Sequence, residues 1–291
     1  MSPRDLLLAF VVILVWGVNF VVIKIGLHGI PPMLLGALRF FLAAVPAVFF
    51  VKRPAIPARW LIAYGATISL GQFAFLFYAM AVGMPAGLAS VVLQAQAFFT
   101  VGLSALFLHE RFRGHNAAGL IVAAAGLALI GEQGGNAMTL AGFVLTLCAS
   151  LMWALGNIVT KKAAHTDMLG LVVWGSLVPP LPFLGFSWFF EGPDRIHAAF
   201  ASIDAPSVFA VLYLSFGATL IGYGLWAKLM SRYPAAQVAP FSLLVPVFGL
   251  ASAFLILDEV LTLPQITGAA LVTGGLLINA FGARWRAARA A

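Results

Sequence analysis

Polar residues are sparse along this chain, and the apolar runs between them recur at lengths near 20 residues, the length an α-helix needs to cross about 30 Å of hydrocarbon. Ten runs are predicted to span a membrane: 5–26, 32–50, 58–79, 85–107, 115–131, 139–160, 168–190, 205–226, 234–256 and 263–282. The links between most of them are short, which leaves no soluble domain to carry chemistry. The first run, Leu6 to Ile25, is too long for a signal-peptide core, so it is read as a span and no cleaved leader is expected.

The pattern is written twice. Trp16 and Lys24 recur 137 residues on as Trp153 and Lys161, with Leu14/Leu151, His28/His165 and Leu34/Leu171 at the same offset. Further along, Pro85, Ala86, Leu106, Leu108, Glu110, Gly119 and Gly126 recur 149 residues on as Pro234, Ala235, Leu255, Leu257, Glu259, Gly268 and Gly275. The growth in offset predicts an insertion in the second copy, within the polar stretch Glu191 to Asp204. Two repeats are expected, 1–133 and 134–291, each of five spans. Five is odd, so the second repeat enters from the opposite side. The fold class predicted is therefore an all-α integral membrane protein of ten helices in two inverted five-helix repeats, a common plan for carriers with a binding site near the midplane.

Composition agrees with this reading. The mean hydropathy is +1.05, with 63% hydrophobic and 9% charged residues, where soluble domains carry roughly 25% charged residues. In a soluble protein a net charge of +7 would point to nucleic acid, but here its distribution points to membrane orientation. If the N-terminus is cytoplasmic, Arg4, Lys52, Arg53, Arg59, Arg111, Arg113, Lys161, Lys162, Lys228, Arg232, Arg284, Arg286 and Arg289 share one face, and only Lys24 and Arg195 lie on the other. That asymmetry places both termini in the cytoplasm, with membrane lipid and no nucleic acid as partners. The single cysteine, Cys148, excludes an intramolecular disulfide or a cysteine metal cluster and reads as a small core residue.

Uncharged hydrogen-bonding residues inside the spans are the candidate site, because lipid penalises them and a water-filled cavity does not. They are Asn19, Gln72, Gln94, Gln96 and Asn157. Trp16 with Asn19, and Trp153 with Asn157, lie three and four residues apart, so spans 1 and 6 present equivalent aromatic-plus-amide faces. Phe75, Tyr78, Tyr223 and Trp226 add rings suited to an apolar body with a polar end. For any one amide, helix-to-helix bonding is the competing reading; as a set they are expected to line a cavity of spans 1, 3, 4, 6, 8 and 9. Pro240 and Pro246 interrupt span 9 and are candidate hinges, a static bend being the alternative. Pro179, Pro180 and Pro182 should break span 7. Gly119 with Ala123, and Ala270 with Gly274, predict close helix packing, with contact between protomers left open alongside a monomer.

All nine acids fall at span ends or in loops, as do the five histidines. No buried carboxylate stands ready to carry a proton or to balance a cationic substrate. Arg39 is the one charge well within a span, read either as a structural contact or as a partner for a substrate carboxylate. P-loop, HExxH and GxSxG motifs are absent, so there are no candidate catalytic residues, metal ligands or cofactors.

Trp16-Gly17-x-Asn19-Phe20 followed by Lys24, then Arg39-Phe40, Pro85-Ala86 opening span 4, Glu110 closing it, and their echo in the second half resemble the EamA branch of the drug/metabolite transporter superfamily. The resemblance covers nearly the whole chain and is greatest to YddG-type exporters. It implies efflux of aromatic and other apolar amino acids across a bacterial inner membrane. Span 1 lacks the carboxylate by which four-span multidrug relatives exchange protons for lipophilic cations. Arg39 is alone where phosphate-handling relatives imply several basic residues. The expectation is a small neutral or zwitterionic substrate moved by alternating access without obligatory proton coupling. A broad metabolite or drug exporter with ion coupling, and a non-transporting scaffold or sensor, stay open as alternatives.

Overall fold

In the computed structural model, residues 1–110, 112–132, 138–163 and 167–290 are described, side chains at 235–236 and 283–290 excepted. The 133/134 repeat boundary, Arg111 and His165 lie outside the described residues, as do the side chains of Arg284, Arg286 and Arg289.

Among the described residues, ten helices are long and apolar enough to cross a membrane: span 1 (Pro3–Gly29), span 2 (Pro32–Phe49), span 3 (Ala58–Ala81), span 4 (Ala86–Leu108), span 5 (Gly114–Gly131), span 6 (Leu140–Lys162), span 7 (Met168–Glu191), span 8 (Ala205–Arg232), span 9 (Ala239–Leu257) and span 10 (Leu263–Gly282). Equivalent spans of the two halves are separated by an odd number of crossings, so the two five-helix repeats run in opposite senses. The expected insertion forms the short helix Pro193–Ala201 between spans 7 and 8.

Proline sets the breaks. Span 7 is interrupted between Gly175 and Pro180, where the ring of each proline removes a backbone donor. Span 9 differs from the expected 234–256. Its entry is a separate short helix, Ala235–Val238, followed by a 3₁₀ segment, Ala239–Leu244, and regular α-helix resumes only at Val245. Pro246 therefore sits in a first helical turn, where the missing N–H costs nothing, instead of colliding mid-helix.

Spans 3 and 8, which are repeat equivalents, both widen into π-helix, at Gly65–Gly71 and Tyr213–Ile221. Such segments are rare and cluster at functional sites.

Spans 5 and 10 pack backbone to backbone. A Cβ on Gly119 would stand 2.6 Å from the Gly275 carbonyl oxygen, and one on Gly126 2.6 Å from that of Gly268; only glycine permits this approach. Asn116 Nδ2 donates to Asn279 Oδ1 across the same seam at 2.7 Å. The Gly119/Ala123 face is thus filled within the chain, not by a second protomer. Ala270 is exposed and Gly274 faces open space, so that pair packs against nothing within the chain.

At the end of the bundle carrying Lys24, carboxylates from the second repeat cap helices of the first. Glu259 accepts from Ala86 N and Gly87 N at 2.8 and 2.9 Å, closing the start of span 4. Glu191 accepts from Met33 N and Leu34 N at 2.7 and 3.2 Å, closing the start of span 2. A negative group at a helix start satisfies orphan amides and the local dipole together. Lys24 Nζ donates to Met80 O at 2.9 Å. Asp204, the N-cap of span 8, is held below the usual carboxylate range by hydrogen bonds from the Ser207 side chain and amide.

Candidate functional site

A cavity of about 360 Å³ lies in the middle of the bundle, within the ~300–1,000 Å³ typical of small-molecule sites. Trp16, Asn19, Gln72, Gln94, Gln96, Trp153, Asn157, Tyr223 and Trp226 line it, so the structure gathers most of the sequence candidates from five different spans. Phe75 and Tyr78 do not line it. With Gln72, Phe73 and Leu76 forming the cavity face of span 3, Phe75 stands about 105° and Tyr78 about 165° around the helix from that face. Tyr78 is half exposed on the outer surface of the bundle, and Phe75 packs against the main apolar core.

The cavity is displaced toward one end. Tyr64, Thr160, Met168 and Ala239 line it, and these sit at the ends of spans 3, 6, 7 and 9 that share the Lys161 side. At the opposite end spans 4 and 9 meet closely, where a Cβ on Gly87 would touch Ala253 and Leu250, and at mid-span one on Gly17 of span 1 would overlap Phe248 of span 9. Of the two candidate hinges, Pro240 lies in the 3₁₀ segment between lining residues Ala239 and Ser242, and Pro246 immediately follows lining residue Val245.

An aromatic wall forms one side. The Trp16 ring lies 5.1 Å from Tyr223 and 5.4 Å from Trp226, both tilted, and its Nε1 donates to Ala218 O at 3.0 Å in the π segment of span 8. Asn157 sits on the other side and is already engaged: its Nδ2 donates to Gln96 Oε1 at 3.1 Å and to Thr100 Oγ1 at 3.0 Å. That amide ties span 6 to span 4 while lining the cavity.

Asn19, Gln72 and Arg39 differ from Asn157. Each is at least nine-tenths buried, and Asn19 Oδ1, Gln72 Oε1, Arg39 Nε and Arg39 Nη1 have no hydrogen-bond partner. Arg39 is held from one side only. Its Nη2 donates to Thr219 Oγ1 at 3.2 Å, and the guanidinium lies 4.0 Å from the Phe73 ring centroid and 5.3 Å from that of Phe40. Sequence reasoning singled out Arg39 as an intramembrane charge but left it out of the site; Tyr64, Ser90 and Thr160 gave no signal above their neighbours. Among the described residues, no group of three His, Cys, Asp or Glu side chains is placed to hold a metal ion.

At the Lys161 end, Lys161 Nζ donates to Ser104 Oγ at 2.9 Å and pairs with Glu110 at 3.0 Å, with roughly half of each ion-pair side chain exposed.

Comparison with known proteins places these features in a family context. The EamA-like transporter family matches residues 4–131 and 140–281. A "Probable amino-acid metabolite efflux pump" of Salmonella typhimurium is 51% identical, covering 98% of each chain. A protein with the same description from Escherichia coli is 49% identical, over 99% of this chain and 98% of its own. A "Probable terminal-alkyne amino-acid exporter" of Streptantibioticus cattleyicolor is 28% identical, over 92% of this chain and 90% of its own. A solved protein crystal structure superposes with a TM-score of 0.67 at 20% identity, covering 98% of this chain and 99% of that one, which shows a shared fold.

Proposed function

The chain belongs to the EamA-like transporter family, and on that basis we propose that it exports small zwitterionic metabolites, above all aromatic and other apolar amino acids, from a bacterial cytoplasm. It is a multi-pass membrane transporter and not an enzyme. The observation that carries the reading is the cavity: aromatic walls and polar atoms converge in mid-bundle on residues from both repeats. The efflux role named for the two enterobacterial relatives supports the amino-acid class.

Transport proceeds by alternating access. With both termini cytoplasmic, the cavity leans toward the cytoplasm and the Glu259 cap seals the outer end. The inverted state exchanges the roles of the repeats, with Glu110 capping the start of span 9 as Glu259 now caps span 4. Span 9 bends at Pro240 and Pro246 as this happens, and the repeats divide at 133/134. Among the described residues that line the cavity none is a carboxylate, so export runs down the substrate gradient without obligatory proton exchange. The protein resides in the inner membrane in contact with lipid.

The test is counterflow in proteoliposomes with labelled phenylalanine, tryptophan, threonine and a lipophilic cation. Saturable exchange of the apolar amino acids, unaffected by the cation, is expected. Transport of the cation alone overturns the substrate class in favour of a drug exporter.

A further inference from the structure

We infer that Arg39, Asn19 and Gln72 form a zwitterion subsite in which the guanidinium takes a substrate α-carboxylate and the two amide oxygens take its α-ammonium. This deepens the amino-acid reading above and rests on it. Four orphan polar atoms on three residues of the cavity lining are the starting observation: two donors on Arg39, one acceptor on Asn19 and one on Gln72, each of which a turn of its side chain would bring to a bound substrate. Each would have hydrogen bonds in water, and each has lost them to burial, a cost normally recovered through a partner. A free amino acid offers the matching set, a carboxylate that only accepts and an ammonium that only donates.

The charge balance points the same way. Arg39 is 2% exposed deep within a span, and the groups holding it are a neutral hydroxyl and two aromatic faces. Those rings stabilise a cation but do not neutralise it. A bound carboxylate does, and charge-assisted bonds to guanidinium are the strong kind. The ammonium then finds oxygen acceptors in place of a second positive charge.

The subsite belongs to one repeat. At the offset of 137 Arg39 corresponds to Ser176, at the offset of 149 Gln72 corresponds to Ile221, and Asn157, the amide on the equivalent face of span 6, is already bonded to Gln96 and Thr100. The second repeat therefore lacks the polar triad, and the substrate has a single orientation. Its polar end lies on spans 1, 2 and 3, and its side chain meets the rings of the cavity lining.

The experiment measures selectivity, which a purely structural Arg39 would leave unchanged. Purified wild-type protein is compared with Arg39→Gln, Arg39→Lys and Asn19→Leu in proteoliposomes, using phenylalanine, phenylalaninamide, phenethylamine and 3-phenylpropionate as probes. Wild type should prefer phenylalanine over each analogue by about ten- to hundredfold, the range for charge-assisted bonds. Arg39→Gln should raise KM for phenylalanine about tenfold or more and erase the preference over phenylalaninamide, with partial rescue by lysine. Asn19→Leu should instead relax rejection of 3-phenylpropionate. If Arg39→Gln does not fold, thermal protection of wild type decides: phenylalanine should protect and phenylalaninamide should not. Equal protection by both, or an Arg39→Gln variant with unchanged selectivity, overturns the subsite while leaving amino-acid export standing. Failure of wild type to move or bind any amino acid overturns the functional reading itself.

Discussion

In span 1, Trp16 donates to Ala218 O, Asn19 Oδ1 stands unpaired and Lys24 reaches Met80 O near the capping carboxylate Glu259. In span 6, Trp153 packs by its ring, Asn157 is tied to Gln96 and Thr100, and Lys161 pairs with a half-exposed Glu110. Two kinds of difference are mixed here. Where the repeats share residues, as at Lys24/Lys161 and Glu259/Glu110, different partners report which end of the bundle is closed. Where they differ, as at Arg39/Ser176 and Gln72/Ile221, the difference is built in, and in the proposed subsite it sets the polar pole of the cavity. Under the proposed alternating access, conformation exchanges the first set during transport but not the second.

Breaking the closed end should have the largest effect. Glu259→Ala strips two amides of a charged acceptor, a loss of about 2–4 kcal/mol, and should lower flux tenfold or more while making the outer end of span 4 accessible to a thiol reagent at an introduced cysteine. Glu110→Ala should shift accessibility in the opposite direction. Equal accessibility changes in the two variants would break the comparison.

The two asparagines should then separate. Asn19→Ala should lower flux about tenfold at normal thermal stability, because its amide oxygen has no protein partner to lose. Asn157→Ala should lower stability by about 1–2 kcal/mol, because it strips Gln96 and Thr100 of their shared donor. Thermal melts in detergent beside flux in vesicles check both. The tryptophans give the smallest contrast. Trp16→Phe loses the bond to Ala218 O, about 1 kcal/mol, and should melt earlier than Trp153→Phe.

Much of the fold was legible from the chain because crossing length is a coarse signal and the duplication supplied a second copy of each span. Boundaries came within a few residues except at the end of span 8, which runs on from the expected 226 to Arg232, and at the start of span 9, where the prolines turned the entry into a 3₁₀ segment instead of a kinked helix. The paired π segments of spans 3 and 8 left no trace, since a wholly apolar stretch reads the same at any helical pitch. The same uniformity hid helical phase, which is why Phe75 and Tyr78 were grouped with Gln72. Arg39 carried a usable flag, being the one charge deep in a span. Only the packing shows that Arg39 lines the same cavity as Asn19 and Gln72 and that all three carry polar atoms without a partner among the described residues.

Uncoupled export is decided by flux of labelled phenylalanine from preloaded proteoliposomes, with and without an imposed pH gradient. The account predicts saturable efflux that persists without the gradient and that Arg39→Gln weakens. Efflux that appears only with the gradient would contradict it, because the cavity would then need a proton carrier that none of its lining residues supplies as a carboxylate.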